Sequence, residues 1–182
     1  QRHLDDRRPE EAEAECRRAV ALDSTHSRAH LGLSLALVAK GDLKGGVREG
    51  ERAAALAPGD AAVQMHFGRA CQAAGQFDIA AEAYRAAARL DTTLEGAWRN
   101  LGAALIDAGR PTEAVAPLQR ALSLKHDAVD THANLALAYM NQGDYASTAR
   151  AYAQAVALRP DDARLHLRFG YACALSGLPG SR

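Results

Sequence analysis

Seven histidines, three cysteines and the charged side chains are the residues here best able to do chemistry, and their spacing gives them little catalytic work. His26 and His30 stand at i, i+4, the separation of two metal ligands on one helical face. His26, however, falls in a stretch that reads as a loop, so no metal site is expected. Gly41 and Gly46 have the separation of a phosphate-cradling loop, but Val47 stands where that loop needs Lys. Gly32-Leu33-Ser34-Leu35-Ala36 shares its opening with a nucleophile elbow, yet it sits within a helical stretch and lacks the final Gly. No pair of carboxylates is spaced as an acid and a base. The expectation is a chain that is not an enzyme and uses no cofactor. What does repeat is an amide: Asn100 and Asn134 lie 34 residues apart. A side-chain amide donates and accepts at once, so a column of them can hold an extended backbone whatever its side chains.

The elements that would carry such a column are legible in Glu95 to Ala128. Trp98, Leu101, Gly102 and Leu105 form one apolar stripe, and Ala114, Leu118 and Ala121 another, at the spacing of a helical face. Gly109-Arg110-Pro111 separates them. Gly109 can take the left-handed conformation that ends a helix, and Pro111 suits a first turn, where its missing N–H costs nothing. Sliding the chain by 34 residues superimposes it on itself. Glycine recurs at Gly41, Gly75, Gly109, Gly143 and Gly177, and alanine at Ala36, Ala70, Ala104, Ala138 and Ala172. Ala19, Ala53, Ala87, Ala121 and Ala155 form a further column, and Leu22, Leu56, Leu90, Leu124 and Leu158 another.

With Trp98-Leu101-Gly102, Phe67-Gly68, Phe169-Gly170, Tyr139, Ala80 and Ala114, Tyr84 and Tyr152, and Pro58 and Pro160, the chain resembles the tetratricopeptide repeat (TPR) family. The resemblance covers essentially the whole chain. It implies an all-α, right-handed α-solenoid of stacked antiparallel helix pairs in 34-residue repeats. Residues 1–182 are then expected to form a single array: a partial repeat at 1–26, full repeats at 27–60, 61–94, 95–128 and 129–162, and the terminal helix of a partial repeat at 163–182. The chain starts without Met and inside a repeat, so it is expected to be part of a longer protein. Residues Gln1 to Arg8 read as the tail of a helix, and Arg8-Pro9 as the opening of the next, which carries Glu10, Glu11, Glu13 and Glu15 near its positive end.

Composition narrows the partners. The 22 basic and 22 acidic side chains leave no global field toward nucleic acid or membrane. No apolar run approaches the roughly eighteen residues of a membrane span, and no secretory leader opens the chain. Cys16, Cys71 and Cys173 have no metal-type spacing and read as buried apolar thiols, which fits a reducing, cytoplasmic setting. His30, His132 and His166 share the column of Trp98, which points to packing between units. The helix 42–56 carries Gly45, Gly46 and Gly50, so it is expected to be the softest full helix or to be covered by something close-fitting.

The resemblance also implies a concave groove lined by the first helix of each repeat. Its positions include Arg28, His66, Arg69, Arg99, Asn100, Asn134, Arg164 and Arg168. Five Arg stand there against Asp130, or against Asp130 and Asp107, so a partner offering carboxylates or a phosphate is favoured. Asn100 and Asn134 resemble two rungs of the asparagine ladder in the repeat superhelix of O-GlcNAc transferases. Arg99, Asn134, Arg164 and Arg168 resemble four positions of the carboxylate clamp in chaperone-tail-binding repeats, with Ala103 where that clamp has Asn. The expected function is binding of an extended, acidic peptide segment or C-terminus in the groove by Asn100, Asn134, Arg99, Arg164, Arg168, Arg69 and His66. Two other readings stand beside it. One is a substrate-presenting arm of a larger glycosyltransferase or sulfotransferase. The other is a scaffold that self-assembles as a homo-oligomer through its uncapped terminal helix, by Phe169, Cys173 and Leu175.

Overall fold

The structure is a computed structural model describing residues 8–177. Among the described residues there are ten helices and no strand. They are α1 (Arg8–Leu22), α2 (Ser27–Ala39), α3 (Leu43–Leu56), α4 (Ala61–Ala73) and α5 (Phe77–Leu90) in one compact unit, residues 1–92. A second unit, residues 93–182, holds α6 (Glu95–Asp107), α7 (Pro111–Leu124), α8 (Val129–Asn141), α9 (Tyr145–Leu158) and α10 (Ala163–Ser176). The expected helix tail before Arg8 and the stop at Leu178-Pro179-Gly180 lie outside the described residues.

The helices end where the sequence lets them. Gly41, Gly75, Gly109 and Gly143 all take φ between 73° and 86°, a conformation that costs Gly no Cβ clash. Gly177, the fifth of that column, differs: it caps α10 at φ −86°. Starts are set by side-chain acceptors. Asp42, Asp60, Asp144 and Asp162 each accept from a first-turn N–H, as does the His26 ring at the head of α2, while Pro111 opens α7. Each helix packs on the next within its unit, and the first helices of adjacent repeats touch as well, α2 on α4 and α6 on α8.

The alanine columns are the core. Ala53, Ala87, Ala121 and Ala155 are fully buried, and Ala36, Ala70, Ala104, Ala138 and Ala172 nearly so. The leucine column is not: Leu22 is 90 % exposed and Leu56, Leu90 and Leu158 about 40 %. A residue type can therefore recur without being buried. Tyr84, Leu101, Leu105, Leu118 and Tyr152 supply the large buried side chains.

The glycine-rich helix is the close-fitting case. In the pairs α4–α5 and α6–α7 a Gly on the first helix faces a large side chain on the second. A Cβ at Gly68 would meet the Tyr84 ring at 2.7 Å, and one at Gly102 would run into Leu118. In α2–α3 the sizes are exchanged. Gly50 takes the large residue's place, and a Cβ there would come within 3.1 Å of Ser34 Oγ and 3.2 Å of Phe67 Cδ2. The Ser34 hydroxyl donates to the Gly46 carbonyl at 2.7 Å. The missing side chains of α3 are thus filled by α2 and α4 coming near, which leaves the packing intact rather than thinned.

The cysteine expectation is corrected, and one acid gains a role. Only Cys71 is buried; Cys16 is half-buried and Cys173 exposed, because Cys173 lies on a face of α10 that no described helix covers. Glu10 and Glu11 do sit in the first turn of α1, but Glu13 works differently. Its carboxylate bridges Lys40 at 2.6 Å and Arg17 at 2.8 Å, tying α1 to the end of α2.

Candidate functional site

In the first unit, α2 and α4 enclose a cavity of about 350 Å³. Ser34, Leu35 and Val38 line one side, and His66, Arg69, Ala70, Gln72 and Ala73 the other. Ser34 and Val38 stand at i, i+4 on α2, and His66, Arg69, Ala70 and Ala73 at i, i+3, i+4, i+7 on α4, one face apiece, with Leu35 and Gln72 flanking them. Leu35 is 43 % exposed at its mouth. Ser34 and Gln72 are already engaged, the former with Gly46 and the latter accepting from the Tyr84 hydroxyl at 2.9 Å. Arg69 is exposed and makes no hydrogen bond or ion pair among the described residues. The His66 Nδ1 is buried without a partner. Burial, reinforced by the Arg69 charge and opposed by Asp60, holds the His66 ring below the usual imidazole range.

In the second unit, Asn100 on α6, Asn134 on α8 and Arg168 on α10 occupy one repeat position. The α6 and α8 helices pack, and the Thr131 hydroxyl donates to Glu95 Oε1 at 3.4 Å between them. Asn100 and Asn134 are partly exposed, and their amides make no hydrogen bond among the described residues. Arg168 Nη1 donates to the buried Tyr152 hydroxyl at 3.3 Å, which fixes its guanidinium against α9.

Arg99 and Arg164 have acids nearby. Arg99 lies 4.0 Å from Glu95 and lines a hollow of about 200 Å³ with Lys125, Asp127, Asp130 and Arg159. Arg164 lines a separate, open hollow with Arg159, Asp161 and Asp162, and Arg159 pairs with Asp162 at 3.6 Å. A charge count over the groove positions includes Asp130 but misses Glu95, the first residue of α6, and Asp127, Asp161 and Asp162, which come from the loops between repeats. Of the seven candidate residues, His66 and Arg69 share a cavity, while Arg99 and Arg164 stand in two hollows.

The histidine column has a specific task. The ring Nε2 of His30, His132 and His166 lies 3.1, 2.9 and 2.8 Å from the carbonyl oxygens of Ser24, His126 and Pro160, each six residues earlier. Each ring therefore clips the preceding loop onto its helix. His30 is almost fully buried and also meets Glu49 Oε2 at 2.8 Å through Nδ1. Sequence reading missed that carboxylate because it arrives from α3. Among the described residues no group of three His, Cys, Asp or Glu could hold a metal. Burial pushes the Cys71 thiol up to about 12, with Glu51 adding to the shift, so it is inert at neutral pH. Val38, Gln72 and Ala73 were also missed, although Val38 follows Ser34, and Ala73 follows Arg69, by four residues on one face.

Helix pairs repeated at a fixed period, with polar groups left unsatisfied on their first helices, define a helical-repeat module for protein interaction. The chain belongs to the tetratricopeptide repeat family, whose model matches residues 1–61, 67–129 and 134–180. The peroxisomal targeting signal receptor of Candida glabrata is 34 % identical over 90 residues, which is 50 % of this chain and 15 % of the receptor's length. The crystal structure of MamA protein is 24 % identical with a TM-score of 0.78, over 84 % of this chain and 83 % of that one. The structure of YrrB, described as a TPR protein with an unusual peptide-binding site, is 16 % identical with a TM-score of 0.73, over 91 % and 86 %. At these identities the two structures speak for the fold alone. No helix among the described residues is long and apolar enough to cross a membrane.

Proposed function

We propose that this chain is a peptide-binding module that takes an extended acidic segment on the first helices of its repeats. The observation that carries this reading is that each unit leaves groups unsatisfied on its first helices: in the second unit the Asn100 and Asn134 amides, which can bond a peptide backbone, and in the first the unpaired Arg69, which attracts carboxylates. Matched relatives named as receptors for a targeting signal support the same reading. The test is selection of phage-displayed random decapeptides on the chain, compared with the Asn134→Ala, Arg168→Ala double variant. Wild type should enrich acidic binders, and the double variant should lose them by about tenfold or more, the worth of one to two hydrogen bonds to charged groups, with its far-UV circular dichroism unchanged. Binders retained in full by the double variant would remove the second unit's face from the reading.

Self-association is a second reading, favoured by α10, where Leu167 is 72 % and Tyr171 66 % exposed. Sedimentation velocity across concentration tests it, and a single monomer species throughout would end it.

A further inference from the structure

We propose that the cavity between α2 and α4 is an anchor subsite: it receives one large aliphatic or aromatic side chain of a bound peptide, with Arg69 pairing a carboxylate next to that side chain. This deepens the function proposed above and rests on it.

Three observations converge on the cavity. Its size, about 350 Å³, is at the lower end of cavities that hold organic ligands, and so suits a side chain rather than a whole cofactor. Its walls are largely apolar, from Leu35, Val38, Ala70 and Ala73. Two of its polar members, Arg69 and His66, have no partner, while Ser34 and Gln72 are engaged as described. Arg69 has no acid near enough to pair with among the described residues. His66 has one buried ring nitrogen and no partner at either.

The histidine geometry fixes what the ligand must supply. A buried N–H without an acceptor is rarer in proteins than a buried acceptor left unfilled. The proton therefore belongs on Nε2, and the lone pair on the buried Nδ1. His66 then presents Nε2–H as a donor, and Arg69 presents a guanidinium fork. Two donors beside an apolar hollow call for a ligand with acceptor oxygens flanking an apolar body. In a peptide that is an aliphatic or aromatic residue adjacent to Asp or Glu. A purely acidic segment would leave the hollow empty, and a purely apolar one would leave Arg69 unpaired.

The experiment extends the decapeptide selection. Wild type should enrich sequences with Leu, Ile, Met or Phe immediately beside Asp or Glu. Ala73→Leu fills the hollow from an exposed wall position and should lose the apolar preference while keeping the acidic one. Arg69→Glu should lose the acidic preference. A synthetic peptide carrying the enriched pair should bind each variant more weakly by roughly ten- to hundredfold, the worth of burying one such side chain. Unchanged melting of both variants guards against misfolding. If wild type enriches binders that both variants retain in full, while Asn134→Ala with Arg168→Ala loses them, the anchor assignment falls and the wider peptide reading stands. If no peptide is enriched, both fall. Octanoate, an apolar chain ending in a carboxylate, serves as a control. Saturable binding of octanoate to wild type but not to Ala73→Leu, with no peptide enriched, would assign the cavity to a small fatty acid and overturn the proposal.

Discussion

At the scale of single residues, acidic side chains do more structural than functional work. Asp60 accepts from the N–H of Ala62 at 2.9 Å and of Val63 at 3.3 Å, which starts α4, the helix that carries His66 and Arg69. Asp60→Ala should cost about 1 kcal/mol in urea denaturation and weaken peptide capture with it. His66 gives a pH signature. Its folded pKa is lowered, so protonation is harder in the folded state than in the unfolded one. Stability should therefore be intact above about pH 6.5, the ordinary histidine value, and decline as pH falls through it. Denaturation of wild type and His66→Gln at pH 7.5 and 5.5 checks this, since the decline should shrink in the variant. Asp144 acts lower on the scale. Bonds from the Ser147 hydroxyl and backbone N–H lower its pKa, so its contribution disappears only as pH falls through that depressed value. None of this was legible from spacing, because a loop Asp reads as a charge until its N–H partner is placed.

At the scale of elements, the fold was largely legible and its exception was not. Columns of Gly, Ala and aromatic residues 34 apart fix where helices stop and which faces meet, and the helix bounds follow them. The glycine-rich α3 looked weak because its compensation sits in Ser34, one helix away. Size is conserved across a helix pair, not along a column. This yields a test in the second unit. Gly102→Ala should gain up to about 1 kcal/mol of helix propensity, yet its methyl must displace Leu118, and overpacking of that kind costs about 1–3 kcal/mol. Net destabilisation is expected. In a Leu118→Ala background the same change should become neutral or stabilising, a coupling that a double-mutant cycle reads directly.

At the scale of the molecule, equal numbers of acids and bases conceal a local imbalance. Sequence counting found the Arg on the first helices but could not place the loop acids beside Arg99 and Arg164, which leaves Arg28 and Arg69 as the exposed Arg on the first unit's first helices that pair with no acid among the described residues. An acidic peptide should accordingly lose affinity as salt rises from about 0.05 to about 0.5 M, which shortens the screening length several-fold. Arg69→Glu should lose or reverse that dependence in fluorescence anisotropy. The alanine interior carries a last consequence. Methyl groups have no rotamers to freeze, so folding each unit sacrifices little side-chain entropy, and afterwards there are no rotamers to reshuffle. A bulkier residue at Ala87 or Ala121 can be accommodated only by whole helices moving apart. Substitutions in this interior should therefore tune the spacing of the first helices within a unit, making deeply buried positions a control on affinity for the proposed peptide without any contact to it.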